Sequence, residues 1–327
     1  MSATGIQWTD VTDNVIVAVD ASGERKGWWC RKISPGCLLC YAEALNQSDY
    51  FGGNHLKYAG APPVLRLRED IIDAWARQTK PKKHFVASMT DVFGEWVPES
   101  WIFRFLDGMR AAAKQIFQIL TKRASNMREK VLAWLKARGL TTVPSNIWLG
   151  VTVEDQARAD ERIPNLLLIP CAVRFISMEP MLERIDLSPW LLQSVCGECG
   201  QVGRPVGTHF LRADNYIGVS EWRCSGCRSK VTLARSIEWA ILGGESGRKK
   251  AVRPMDLQWL AYALRQLIEA GVAPFVKQLG SRPYNTFGVA GQGVQEEQIE
   301  ITHPKGGDIR EFPSPYRIRE FPEAKVA

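Results

Sequence analysis

The chain has 327 residues, 45 % hydrophobic and 24 % charged, with a formal net charge of +7. This composition excludes a disordered or fibrous chain, and the cationic excess is compatible with a polyanionic partner such as nucleic acid. No charged-then-apolar leader opens the sequence and no apolar run is long enough to span a bilayer, so a cytoplasmic setting with reduced thiols is expected and no membrane partner.

Taken in chain order, one unit recurs: an apolar, β-branched or aromatic run, a polar tail, then an amphipathic stretch. The first strand is the least clear and is placed in or near "KGWWC" (26–30), just before Cys30. "HFVAS" (84–88) precedes a helical pattern through "SWIFRFLDGMRAAAK", and "QIFQIL" (115–120) precedes "REKVLAWLKARG". "NIWLGV" (146–151) leads into "TVEDQARADERIPNLL", and "VRFISM" (173–178) into "EPML". "IEWAILGG" (237–244) is followed by "MDLQWLAYALRQLIEAG", and "PFVKQ" (274–278) closes the series. Strands alternating with helices indicate parallel βαβ units, and near-continuous apolar runs suit strands covered on both faces. The expected fold is α/β, a complete or partial TIM-type (β/α) barrel over residues 1–192 and 237–279. Residues 193–236 read as an inserted four-cysteine module, and residues 280–327, rich in Gly and Pro, as an extension over the surface.

In such a barrel the chemistry sits at the carboxyl ends of the strands. Those ends here carry Ser88, Thr90 and Asp91; Thr121, Lys122 and Arg123; Thr152, Glu154 and Asp155; Glu179; Gly243, Gly244, Glu245 and Ser246; and Lys277 and Gln278. Any one of them could be a helix cap. Together with three thiols they suggest a polar basin.

The thiols are Cys30, Cys37 and Cys40, in a C-x6-C-x2-C run with Pro35 and Gly36 to tighten the loop. Three thiolates fit a 4Fe–4S cluster with one iron left open, a position that S-adenosylmethionine can chelate. A zinc site with a distant fourth ligand is the competing reading. The four histidines, His55, His84, His209 and His303, show no ligand spacing to the triad, and the strand-end context favours the cluster. Further on, "CGEC" and "CSGC" place Cys196, Cys199, Cys224 and Cys227 as two C-x2-C knuckles, a zinc-ribbon pattern. Cys171 stands alone and reads as a buried, inert thiol.

The stretches "TGIQWTD", "SPGC" within the triad, "CYAE", "FVASMTDVF", "FQILTKR", "NIWLGVTVE", "RFISMEP", "ILGGESG" and "PFVKQ" resemble an uncharacterised family of bacteriophage and prophage proteins. That family is named for a three-cysteine motif and grouped near the radical S-adenosylmethionine enzymes. The triad departs from the C-x3-C-x2-C spacing usual in those enzymes, and Leu39 stands where an aromatic often precedes the last cysteine. By this resemblance Ser88, Thr90 and Asp91 would grip the methionine amino group, and Lys122 or Arg123 would face its carboxylate. Glu154 and Glu179 would take the ribose hydroxyls, Gly243 and Gly244 would admit close approach of backbone to ligand, and Glu245 joins the two glutamates as a catalytic candidate. The implied cofactors are a 4Fe–4S cluster, S-adenosylmethionine and zinc, with a reductant of unknown kind as partner. The substrate class suggested by charge, ribbon and phage association is a nucleic acid or nucleotide. Two other readings fit the residues: a non-catalytic, zinc-dependent nucleic-acid-binding protein, and a barrel hydrolase using Glu154, Glu179 or Asp91.

Overall fold

Strand alternation and helical periodicity resolve into a single large sheet with helices on one face. The computed structural model of the chain describes residues 2–48, 56–191, 194–195, 198, 202–203, 206–211, 217–223, 226–229, 237–289 and 293–322. Seven strands run parallel: β1 (Val11–Asp13), β2 (Lys83–Val86), β3 (Ile116–Thr121), β4 (Ile147–Thr152), β5 (Arg174–Met178), β6 (Trp239–Gly243) and β7 (Ala273–Gln278). They neighbour one another in chain order, the arrangement of a singly wound βα series. The main helices are α1 (Tyr41–Asn46), α2 (Glu69–Arg77), α3 (Glu99–Ala111), α4 (Ala124–Ala137), α5 (Gln156–Leu167) and α6 (Leu257–Glu269).

Successive side chains on a strand point to opposite faces, and here both faces are buried. Ile119, Leu149, Val151, Ile176, Ala240 and Leu242 join the core that α2 to α6 cover. Phe85, Trp148, Phe175, Trp239, Ile241 and Phe275 face the other way, around Trp8. The Trp8 ring centroid lies 4.6 Å from Phe85 on β2 and 6.0 Å from Trp239 on β6. In a flat sheet the four intervening strand spacings would cover about 19 Å, so the sheet curls around this ring cluster. Asp13 ties β1 into the wall: its Oδ2 accepts from Trp75 Nε1 on α2 at 2.6 Å and bonds His84 Nδ1 on β2 at 2.7 Å.

The result is a curled half-barrel. Among the described residues no hydrogen-bonded ladder joins β7 to β1, so a closed TIM-type barrel is not formed. Each edge is covered. Ser2–Ala3 pairs antiparallel with β1. Residues 318–320 run beside β7, with Val276 N donating to Ile318 O at 2.8 Å and Glu320 N to Pro274 O at 2.9 Å. Among the described residues no helix is long and apolar enough to cross a membrane.

One expectation changes. The first parallel strand is Val11–Asp13 and not "KGWWC"; the strand Arg25–Gly27, which overlaps its start, instead pairs with Ile16–Val19 in a small antiparallel sheet completed by Leu65–Leu67. A three-residue strand flanked by polar residues has no periodicity to find. The cysteine loop is therefore an excursion between β1 and α2. Within the extension after residue 280, Pro283–Val289 and Gly293–Gln298 form a hairpin. In the insert, Ser194–Val195 pairs with Val202–Gly203 and Val206–Leu211 with Ile217–Arg223. Of the four cysteines of the expected zinc-ribbon pattern, Cys196, Cys199 and Cys224 lie outside the described residues, and Cys227 is exposed.

The concave core supplies a test. A Cβ added to Gly150 on β4 would stand 2.4 Å from the Phe175 ring, which Trp239 backs at 5.4 Å. Gly150→Ala is expected to destabilise the fold by about 1–3 kcal/mol through overpacking. Urea unfolding would show it, and an unchanged midpoint would contradict this packing.

Candidate functional site

Parallel strands put all their carboxyl ends at one rim, and the cysteine loop lies across that rim. Its attachments are specific. After β2 the chain turns at Ala87, in the left-handed region at φ 62, a conformation a β-carbon makes costly. The turn sends Ser88 to Asp91 under the loop, where Thr90 Oγ1 donates to Trp29 O at 2.5 Å and Ser88 O accepts from Tyr41 Oη at 2.9 Å. After β3, Arg123 Nη2 donates to Arg31 O at 2.9 Å. After β4, Glu154 Oε1 accepts from Ser34 Oγ and from Gly36 N at 3.3 Å. After β6, Arg253, paired with Glu245, donates from Nη1 to Pro35 O at 3.0 Å. Four strand ends thus fasten a single loop.

Glu154 is the deepest of these fastenings. Its side chain is 0 % exposed, and its Oε2 pairs at 2.8 Å with Arg162 Nη1 from α5, itself 1 % exposed. Gly36 is required here: a Cβ would come 2.9 Å from Glu154 Oε1. Burial pushes the Glu154 carboxyl up, but Arg162, Lys122 and the Ser34 hydroxyl together hold it below the ordinary glutamate range. Asp91 is likewise enclosed, accepting from Thr121 Oγ1 at 2.7 Å, Phe93 N at 3.0 Å and Arg123 Nη1 at 3.2 Å. The Arg123 guanidinium also bonds Glu95 and lies 4.5 Å over the Trp96 ring.

The other expected rim residues fall into place around this loop. Glu179 Oε1 pairs with Lys277 Nζ at 2.7 Å, both partly buried. Gly244 is explained by packing, since a Cβ would meet Leu279 O at 2.5 Å; one on Gly243 would lie 3.5 Å from Glu179 Cδ. Asp155 caps α5, accepting from Arg158 N at 2.9 Å. Lys122 differs from Arg123: its Nζ reaches only Thr152 Oγ1, at 3.5 Å, with no carboxylate oxygen within 4.0 Å among the described residues. Ser34, Arg162 and Arg253 escaped the sequence reading because nothing in their spacing links them to the triad.

The three thiols share one environment without forming a ready-made ligand set. Cys30, Cys37 and Cys40 are all half-buried. Burial, with Asp91 and the neighbouring thiols adding to it, pushes Cys30 up to about 12. Cys37 goes the other way: burial raises it, but the Lys122 ammonium and contacts at Ile33 and Ser34 outweigh that and lower it. Among the described residues no three His, Cys, Asp or Glu side chains are gathered as a metal site, so ligation requires the thiols to turn toward one another. In kind they suit an iron–sulfur cluster: three soft donors, mutually costly when ionised, beside Lys122 and Arg123. Cys171, pushed up to about 12 by burial, stays an inert core thiol.

A protein-family model described as "Protein of unknown function (DUF5131)" matches residues 3–303. No curated protein and no solved structure matches the chain.

Two outcomes are expected. In metal-free protein, limiting iodoacetamide near neutral pH should alkylate Cys37 before Cys30; peptide mass spectrometry giving the reverse order would contradict the environments described. Removing Arg162 strands a buried carboxylate, so Arg162→Ala should cost about 3–5 kcal/mol. Because the folded-state value of Glu154 is depressed, its contribution is present above about pH 4.3, the unfolded value, and is lost as pH falls through the folded one. Wild-type stability should therefore decline more on acidification than that of Glu154→Gln, as read by urea midpoints across pH.

Proposed function

The chain belongs to the DUF5131 family, and we propose that it is a radical S-adenosylmethionine-type enzyme of bacteriophage or prophage kind, holding a 4Fe–4S cluster on Cys30, Cys37 and Cys40. The observation that carries this reading is the fastening of a three-thiol loop across the open rim of a parallel sheet by side chains from four strand ends. The chemistry such a cluster supplies when bound is one-electron cleavage of a carbon–sulfur bond in S-adenosylmethionine. The protein's part is to place the loop, to screen the site from water and to hold the cofactor.

The contacts divide the rim residues into two groups. Thr90, Asp91, Arg123 and Glu154 are positioning residues, with their hydrogen-bonding capacity committed to the loop and its supports. Lys122 is the cation available to the methionine carboxylate, because among the described residues no carboxylate neutralises it at contact distance. Glu179, beside Gly243, is the carboxylate best placed for the ribose hydroxyls, and Glu245 serves through Arg253. The substrate is a nucleotide or nucleic acid, a reading supported by the net charge of +7. A structural zinc on Cys196, Cys199, Cys224 and Cys227 completes the proposal.

Anaerobic purification and reconstitution with iron and sulfide test it. Expected are a brown protein with about four irons and one zinc, and 5′-deoxyadenosine on reduction with S-adenosylmethionine. Lys122→Ala should abolish cofactor binding while the colour remains. A colourless protein with two zincs would replace this reading with a non-catalytic nucleic-acid-binding one. An iron-free protein with one zinc would leave a hydrolase.

A further inference from the structure

The loop after β6 carries three consecutive cations. Arg248, Lys249 and Lys250 are all exposed, and among the described residues none has a carboxylate within ion-pair distance. By contrast Arg68, Arg104, Lys130 and Arg138 each pair with a carboxylate. The nearest acid in sequence, Glu245, is already engaged: it accepts from Arg253 N at 2.9 Å and Nε at 3.0 Å and pairs with the same guanidinium at Nη2. The turn is pinned on both sides. Gly247 N donates to Ser281 Oγ at 3.0 Å, Ser281 N to Glu245 O at 2.9 Å, and Ala251 N to Arg248 O at 2.8 Å. Val252 behind it is buried, and a Cβ on Gly247 would meet Val252 Cγ1 at 2.9 Å. Like charges held side by side repel, so a fixed turn that keeps three together is stabilised by an anion among them. Backbone donors accompany the side chains. The N–H groups of Ser246, Arg248, Lys249 and Lys250, and the half-buried Ser246 hydroxyl, meet no acceptor among the described residues.

We infer that this turn binds a phosphate group of the substrate and anchors it beside the rim. Cationic side chains together with successive unpaired N–H groups are the donor set that phosphate takes. A terminal phosphate offers three acceptor oxygens and about two negative charges, and a nucleic-acid backbone offers phosphates in succession. A lone carboxylate, with two oxygens and one charge, would leave most of these donors unmet. S-adenosylmethionine has no phosphate, so the turn is separate from the cofactor's own contacts. Its position gives it a purpose. Arg253 lies on the same segment and donates from Nη1 to Pro35 O at 3.0 Å, just before Cys37. An anchored phosphate is thereby linked through one guanidinium to the loop that carries the thiols. The inference rests on the enzyme reading for that purpose and narrows its substrate class to molecules that bear phosphate.

The test uses the full-length reconstituted protein and two probes, adenosine 5′-monophosphate and a fluorescein-labelled single-stranded oligonucleotide, with adenosine as the phosphate-free control. At least one phosphate probe should bind, and adenosine should not displace it. Arg248→Ala, Lys249→Ala and Lys250→Ala together should weaken that binding by about tenfold or more, and reduce the log–log salt slope for the oligonucleotide by roughly 2. The conservative set Arg248→Lys, Lys249→Arg and Lys250→Arg should retain it. Binding of the mononucleotide assigns a single phosphate to the turn, and binding of the oligonucleotide alone assigns the backbone. All three positions are exposed, so folding is not at stake. Iron content and S-adenosylmethionine binding should be unchanged in the alanine variant. The inference is overturned if neither phosphate probe binds, if the alanine variant binds as well as wild type, or if it loses S-adenosylmethionine. Displacement of the oligonucleotide by an equal charge of poly-glutamate also overturns it. If the wild type takes up no iron, the enzyme reading fails, while the probe measurements still decide the turn.

Discussion

A carboxylate in the wall of the half-barrel does two incompatible-looking things. Glu154 is fully buried, a position in which a charge is tolerated only with close compensation, and one oxygen obtains this from Arg162. The other faces the rim and accepts from Ser34 and Gly36 of the cysteine loop. The charge that holds the loop is thus fixed by a guanidinium on α5. Neither partner can change without leaving the other stranded in a low-dielectric wall. The remaining loop contacts, from Thr90, Arg123 and Arg253, end on backbone carbonyls and constrain the path of the chain whatever its side chains.

This arrangement separates placement from chemistry. Residues that look catalytic in a strand-end inventory are largely occupied with geometry: Asp91 receives four donors, and Arg123 bridges two carboxylates, a carbonyl and an indole. Such saturation favours rigidity, because each added bond removes a rotamer the side chain could otherwise visit. Lys122, one residue before Arg123, escapes it, and polarises Cys37 instead.

Legibility in the sequence followed burial. Strands β2 to β7 are near-continuous apolar runs because both their faces are covered, and their predicted limits differ from those found by only one or two residues at most ends. Strand β1 is three residues long and was invisible, which displaced the cysteine loop from a strand end to an excursion beyond one. The rim was recognisable as a list because parallel strands share an end. Its wiring was not, since Glu154 with Ser34 and Arg253 with Pro35 join positions more than a hundred residues apart. Asp155 illustrates the converse: a polar strand-end residue whose local duty as a helix cap accounts for it.

The β7 edge carries one more implication, for synthesis. Its unpaired backbone groups are met by residues 318–320, which are synthesised well after β7 itself. Until then the nascent sheet presents a bare parallel margin, the feature most prone to recruit a strand from another chain. Silencing of the margin therefore lags behind the strand it protects: the covering strip is made only after the hairpin that separates the two.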